Sequence, residues 1–350
     1  VTGDRVGPIL VGSAELKPFV REIFVRKGLT RDGAATVADA LVWANLRGVD
    51  SHGVSRVPRY LEMIEAGELN PRPEITTRNE SAAAVLIEAD RAAGPIAMTL
   101  AMKLALAKAK DVGIGLALVR ATTHTAALAY YALMAAREGV AAIATAGSVP
   151  NMVYHGTRAA GVSTSPLCIA VPGGAAGPVV LDMGSGMVSL GRLAQARRQG
   201  GPIPEDWALD ADGNRTTDPA RAEIPLPMAG PKGSGLALMV ECLTSLLVAN
   251  PVLADAVGRP GKPRHRQNGL AIAIDVGRFG DPAAFAAEVD RLAQTLKNLP
   301  REPDAAEILM PGERAARAYQ TRNRDGIPLP RTILDQLNLT AGKLGIPPLL

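Results

Sequence analysis

Residues 82–121 read AAAVLIEADRAAGPIAMTLAMKLALAKAKDVGIGLALVRA. Two short apolar runs, Ala82–Ala89 and Ile114–Ala121, bracket a longer one that opens at Gly94 and closes at Gly113. The short runs have the length of buried strands, and the long one has the length and composition of a helix. This is a strand–helix–strand unit. A second unit of the same kind lies far downstream, with a helix from Gly235, a strand in QNGLAIAIDV and a helix over Pro282–Leu299. The two pieces share strand length and apolar density, so they are expected to form one split α/β layer.

Working outward, residues 123–227 alternate short strands with Gly/Pro turns and include one helix over Ala126–Gly139. Residues 12–66 read as helical. Ala34, Val37, Ala38, Leu41 and Val42 recur at helical spacing, and Gly48 closes that helix. A second helix is expected to open at DSHG with Ser51 as N-cap, carrying Val54, Val57, Leu61 and Ile64 inward. The run NPRPEI from Asn70 then breaks the helix. No internal repeat or low-complexity linker is visible.

Of 350 residues, 47% are apolar and 21% charged, the balance of a globular chain. Aromatics at 3% are too few for base-stacking platforms, and a net charge of +4 from 38 basic and 34 acidic residues is a small surplus. The basic cluster GRPGKPRHRQ, around Arg264 to Arg266, lies among prolines and glycines and reads as a solvated loop. Nucleic-acid binding is therefore not expected. Cys168 and Cys242 lack metal-ligand spacing and read as buried free thiols, so no metal is expected. The apolar stretch Leu236–Val248 is short and interrupted by Glu241, which makes it a core helix rather than a membrane span. The first residues lack an apolar run, and a cytoplasmic location is expected.

No strand is followed by GxGxxG, and AGPKGSG places Lys232 before its glycines, against the Walker order. Neither a Rossmann domain nor a P-loop is supported. Four segments carry candidate chemistry. In DSHGVSRVPRY, His52, Arg56 and Tyr60 share helical spacing, suited to holding a substrate carboxylate beside a neutral imidazole; the alternative is a solvated polar face. His124 falls between a strand and a helix, a common place for an acid–base group and also for an ordinary packed histidine. Gly230, Gly233 and Gly235 with Lys232 form a turn that could bind phosphate or simply flex. Asp182 ends an apolar strand, as a turn cap or as the partner of a histidine. His155 and His265 have no such setting and read as surface residues.

Taken together, RGVDSHGVSRVPRY, Thr123-His124, the LDM segment at Asp182, PIPEDWALDADGNRTTDP and PMAGPKGSG resemble the type-2 malate/L-lactate dehydrogenase family. That family includes sulfolactate, ureidoglycolate and 2,3-diketogulonate enzymes and the piperideine/pyrroline-2-carboxylate reductases. The resemblance implies a non-Rossmann, sulfolactate-dehydrogenase-like α/β fold with a mostly antiparallel mixed sheet and an N-terminal helical segment. It also implies a division in which 1–76, 123–227 and 303–350 form a cofactor-binding domain with the N-terminal helices. Residues 77–122 and 228–302 then form the split α/β domain.

The function implied is NAD- or NADP-dependent hydride transfer to or from a small 2-oxo/2-hydroxy acid, in a homodimer. The alternatives are cyclic imine reduction and, more remotely, a non-catalytic nucleotide-binding regulator. By position, His124 matches the acid–base catalyst of the hydroxyacid enzymes. Ser51, His52 and Asp182 match a proton relay of the imine reductases, and Arg56 matches a carboxylate ligand with Tyr60 nearby. Cofactor contacts fall on Ser148, on Asp182, Met183 and Gly184, on Lys232, and on Gly312, Glu313 and Arg314. Many relatives have Gly-Thr-Asn-Pro where this chain ends Val162-Ser163-Thr164-Ser165-Pro166, which puts plain malate or lactate as substrate in doubt.

Overall fold

The computed structural model describes residues 7–259 and 265–350. Arg264 and the part of the basic cluster from 260 lie outside the described residues. Seven strands form the main sheet: β1 (Thr76–Arg78), β2 (Ala84–Glu88), β3 (Ile114–Thr122), β4 (Val140–Ser148), β5 (Leu167–Val171), β6 (Val179–Met183) and β7 (Gln267–Asp275). Their spatial order is β1-β2-β3-β7-β4-β5-β6. Only β2 and β3 run parallel, because a long crossover joins them; every other neighbouring pair is antiparallel. The sheet is thus mixed and mostly antiparallel. The proposed division into two units would meet along the β7–β4 ladder.

The helices are α1 (Ser13–Arg26), α2 (Arg31–Leu46), α3 (Val57–Glu65), α4 (Gly94–Val112), α5 (Ala129–Ala136), α6 (Leu190–Gln199), α7 (Pro231–Glu241), α8 (Pro282–Lys297), α9 (Glu313–Asp325) and α10 (Arg331–Gly342). The crossover α4 lies against the sheet through Ala97, Met98, Ala101, Met102, Ala105 and Ala109, all buried. The alanines among them allow the helix to approach closely. A Cβ on Gly115 of β3 would come within 1.8 Å of the Ala105 carbonyl oxygen. A second core, from α1, α2 and α3 with residues around 327–346, holds Leu16, Phe24, Leu41 and Leu337.

Two expectations are corrected. The helix after Gly48 does not open at Ser51: Asp50–His52 and Val54–Arg56 are separate 3₁₀ turns, and α3 begins only at Val57, with no side-chain cap. Asn45 causes the delay, because its Oδ1 accepts the Val54 N–H at 2.8 Å and draws the chain away from helical geometry. The stretch Leu236–Val248 is not a core helix. It forms the end of α7 and one π turn, Cys242–Leu246, and it packs inward through Ala237, Val240, Glu241, Thr244 and Ser245. Leu238, Met239, Leu243, Leu246 and Leu247 are exposed, because the inner side is taken by small and polar groups. Cys168 is buried and Cys242 half-buried, both as free thiols. Among the described residues no helix is long and apolar enough to cross a membrane.

Gly115→Ala should be strongly destabilising, since the new methyl meets backbone that cannot turn aside. A loss of about 1–3 kcal/mol or more is expected for such overpacking, read as a lower urea midpoint with an unchanged slope.

Candidate active site

The antiparallel ladders bring several strand ends to one edge of the sheet. Gln267, at the start of β7, lies opposite both Thr122 at the end of β3 and Ser148 at the end of β4. Thr145 of β4 lies opposite Leu167 of β5, which lies opposite Met183 at the end of β6. His124, His265, Ser148 and the 182–184 segment therefore share that edge. A β-bulge between Gln267 and Gly269 adds a local bend there. The fully buried Asn268 holds it, accepting the Ala121 N–H at 2.9 Å. Ala121 and Ala126, on either side of His124, adopt left-handed φ values of 56° and 53°. Such strain in non-glycine residues persists where the surroundings enforce it.

Three imidazoles meet at this edge. His52 stacks on His124 at 5.5 Å between centroids, and His265 lies 6.5 Å from His124. Ser51 Oγ is 3.0 Å from His52 Nδ1. The Tyr60 hydroxyl donates to the His124 carbonyl at 2.8 Å and lies 3.1 Å from His124 Nδ1. Ala126 N–H also reaches Nδ1, at 3.3 Å. Nδ1 thus has an acceptor on one side and a donor on the other, so it is held whether or not it carries a proton. Among the described residues Nε2 makes no hydrogen bond.

Arg56 donates through Nε to the Ser51 carbonyl at 2.7 Å. Among the described residues its terminal nitrogens make no hydrogen bond. Burial lowers His52 to about 4, with Arg56 adding to the effect. Burial also lowers His124 well below the usual imidazole range, followed by repulsion from Arg56, His52 and His265. His265 falls to about 4, from burial and then Arg59. Burial, with Arg56 beside His52 and His124 and Arg59 beside His265, thus disfavours the charged form of all three rings.

Asp182 stands apart from the histidines. Its carboxylate accepts the Ala129 N–H at 2.8 Å, and among the described residues it makes no hydrogen bond to Ser51 or His52. Burial raises it to about 6, against the Ala129 bond and nearby Arg47. Tyr60, expected beside a substrate, is 1% exposed with its hydroxyl committed to His124, so it supports that ring instead. Ser165 is also turned inward, bonded to Ser163 Oγ at 2.7 Å.

Beyond β6, the Met228 N–H donates to the Ser185 carbonyl and the Val180 N–H donates to the Pro311 carbonyl. These bonds set the turns at 228–233 and 311–314 along β6. Lys232 and Arg314 are exposed on the first turns of α7 and α9. Glu313 is bound by Lys297 and Arg317, and the Lys297 bond leads in holding its carboxyl down to about 2. A cleft of about 910 Å³ opens beside Ala229 and Gly230, with His155, Arg158 and Asp206 on its walls.

A family model described as malate/L-lactate dehydrogenase matches residues 11–338. The chain belongs to the malate/L-lactate dehydrogenase family. It is an oxidoreductase of the 2-hydroxy-acid dehydrogenase kind, with the nicotinamide cofactor that such enzymes use. The malate dehydrogenase of Pyrococcus horikoshii is 33% identical, over 97% of this chain and 96% of its own. A solved structure of that enzyme superposes with a TM-score of 0.88 at 31% identity, covering 98% of this chain and 97% of the other. The Delta(1)-pyrroline-2-carboxylate/Delta(1)-piperideine-2-carboxylate reductase of Pseudomonas putida is 30% identical, over 91% and 93%.

This dehydrogenase places residues at the site edge that the sequence reading missed. His265 is not a surface residue: the β7–β3 ladder carries it against His124, and its only sequence signal was its position two residues before a strand. Arg47 and Gln267 were also overlooked. Arg47 stacks on Trp43 at 5.4 Å and acts on Asp182, while Gln267 donates to Ser148 Oγ at 3.2 Å.

Arg56→Gln should raise the His52 and His124 titrations toward the usual imidazole value, but only in part, since burial is the larger cause. Histidine-selective NMR titration reads this directly; unshifted resonances would place Arg56 away from both rings.

Proposed function

We propose that this dehydrogenase transfers a hydride between NAD or NADP and C2 of a small 2-oxo/2-hydroxy acid, of the malate or lactate type. The observation that carries the reading is Arg56, a partly buried guanidinium whose terminal nitrogens make no hydrogen bond among the described residues. A substrate carboxylate would supply a counter-ion with matching bidentate geometry. The expected cofactor fits the residues present. Ser148 and the buried Gln267 offer polar groups at the sheet edge, and the first turns of α7 and α9 present Lys232 and Arg314 to phosphate. When bound, the nicotinamide accepts or supplies the hydride.

In this reading Arg56 holds the C1 carboxylate and the Nε2 of His124 faces the C2 oxygen. For oxidation, neutral His124 takes the hydroxyl proton at Nε2, and Tyr60 Oη steadies the proton on Nδ1. For reduction, the imidazolium gives the Nε2 proton to the forming alkoxide. Substrate binding favours that charged form, because the carboxylate offsets Arg56. Since His124 is depressed in the free enzyme, kcat/KM for reduction should fall as pH rises through neutrality, by up to about tenfold per unit. Oxidation should be level over the same range.

One observation favours a second reading, cyclic imine reduction. Ser51 and His52 are bonded to each other as a proton relay would need, although Asp182 is held by Ala129 instead. A homodimer is proposed from the family resemblance, with the exposed leucines of α7 and the π turn as its contact; a cytoplasmic location is proposed with it.

Oxidation of NADH and NADPH against 2-oxo acids and cyclic imines tests both chemistries. In single-turnover experiments His124→Ala should slow reduction of a 2-oxo acid by roughly 10²–10⁴, with cofactor affinity unchanged. Near-normal rates would remove His124 from the chemistry. A defect confined to His52→Ala with cyclic imines would favour the second reading.

A further inference from the structure

Arg47 carries a charge that the chemistry above does not use. It follows the last residue of α2 and is only 9% exposed. Its guanidinium lies over the Trp43 ring at 5.4 Å. Among the described residues its side chain makes one hydrogen bond, from Nη2 to the Gly312 carbonyl at a long 3.5 Å. A buried cation with so little bonding is unfavourable unless an opposite charge lies near it. That charge is Asp182: each of the two favours the other's ionised form. Among the described residues they form no direct salt bridge, so the effect is carried by the field through buried surroundings.

The two groups that Arg47 acts on, Asp182 and Gly312, belong to different segments of the proposed cofactor site. Those segments already meet through the backbone. The Val180 N–H donates to the Pro311 carbonyl at 3.1 Å, and a Cβ on Gly312 would lie 2.8 Å from the Val180 carbonyl oxygen. Arg47 adds a third point of contact, from α2. Asp182 itself retains accessible surface, so a ligand can meet it. Around it stand the Ala129 N–H and Tyr131 from α5, and Cys168 opposite it on β5. Burial raises the tyrosine and the thiol, which leaves both neutral. Arg137 and Tyr319 face Arg47. Arg47 is therefore the cation that opposes desolvation at Asp182.

We propose that Arg47 is a positioning residue for the cofactor: it holds Asp182 as a carboxylate that accepts a hydroxyl of the dinucleotide, and it fixes the Gly312 turn beside it. This rests on the proposed cofactor contacts at Asp182 and Gly312. Because the bond to Gly312 is long, the larger part of the effect passes through Asp182.

The test titrates NADH and NADPH by nicotinamide fluorescence from about pH 5.5 to 9 in the full-length enzyme, in Arg47→Gln, Arg47→Lys and Asp182→Asn, and in the Arg47→Gln/Asp182→Asn double variant. The accepting form of Asp182 is the ionised one, and its carboxyl stands at about 6. In the unmodified enzyme affinity should therefore fall as pH drops through that value, by up to about tenfold per unit. Arg47→Gln should move the fall to higher pH, weakening binding about three- to tenfold near neutrality and less than about twofold at the alkaline end. Arg47→Lys should leave the fall where it was. With Asp182→Asn already present, Arg47→Gln should weaken binding by less than about twofold further. Where Arg47→Gln does not fold, Arg47→Met, which keeps the stem over Trp43, takes its place. An unmoved fall, the same loss at every pH, the same loss beside Asp182→Asn, or failure of both neutral variants to fold would each overturn the inference and make Arg47 a packing residue. Binding that is level with pH and unchanged by Asp182→Asn overturns the cofactor contact at Asp182, and this inference with it.

Discussion

Asn268 is the constraint on which the placement of the site depends. Its Oδ1 accepts from the Ala121 N–H and from Asn250 Nδ2, and its Nδ2 donates to Ser245 Oγ and the Asn250 carbonyl. All four of its hydrogen-bonding positions are used, in a residue with no exposed surface. The amide joins β3, β7, the π turn and the loop at Asn250. It also holds the bulge that changes the phase of the strand pairing just before His124. Side chains alternate along a strand, so a bulge decides which face the following residues present. Losing one of these bonds would leave another buried group unsatisfied, which makes the arrangement cooperative.

From that anchor follows an electrostatic design in which burial leads, with Arg56 beside His52 and His124 and Arg59 beside His265, in keeping several rings uncharged. Three histidines gathered within a few ångströms would repel if charged, and burial already disfavours their cationic forms. Arg56 retains its charge, because guanidinium does not titrate in the physiological range. The site is thereby basic in potential but poor in protons, a state that the proposed carboxylate substrate would reverse. At the rim, Asp50 pairs with Arg322 and accepts from Asn45 Nδ2, holding the turn that carries Ser51 and His52. That pair is partly exposed and acts as a tether more than as a source of stability.

Much of this was legible in the sequence, and the failures have physical causes. The strand–helix–strand unit over 82–121 appears in the structure as β2, α4 and β3, because apolar run length and terminal glycines are local signals. The grouping of His52 and Arg56 with His124 came with the family resemblance, but the 3₁₀ turns that carry His52 and Arg56 are not legible: Asn45 acts from outside the helix it disrupts, and periodicity cannot register such a contact. His265 was misread for the same reason. Its burial comes from pairing between strands some 150 residues apart along the chain, as Gln267 opposite Thr122 shows. The outward leucines of α7 show the opposite error. An apolar run was read as core, while the inward positions were held by Ala237, Thr244 and Ser245.

The stretch that decides the fold also supports the proposed chemistry, through contacts at the start of α4. Thr122 and Thr123 donate their hydroxyls to the Ala92 carbonyl, and the Thr123 N–H donates to the same oxygen. Two residues later, a Cβ on Gly94 would lie 2.3 Å from the His124 carbonyl oxygen. Only glycine allows the helix to begin that close to the histidine backbone. The His124 carbonyl is also the acceptor for Tyr60, so backbone position, tyrosine orientation and the state of Nδ1 are linked through one peptide group. A crossover helix packed against its own strands through alanines and glycines has little freedom to shift. That rigidity holds His124 in its left-handed surroundings, and it explains why a residue at the end of a strand can be placed as closely as one within it.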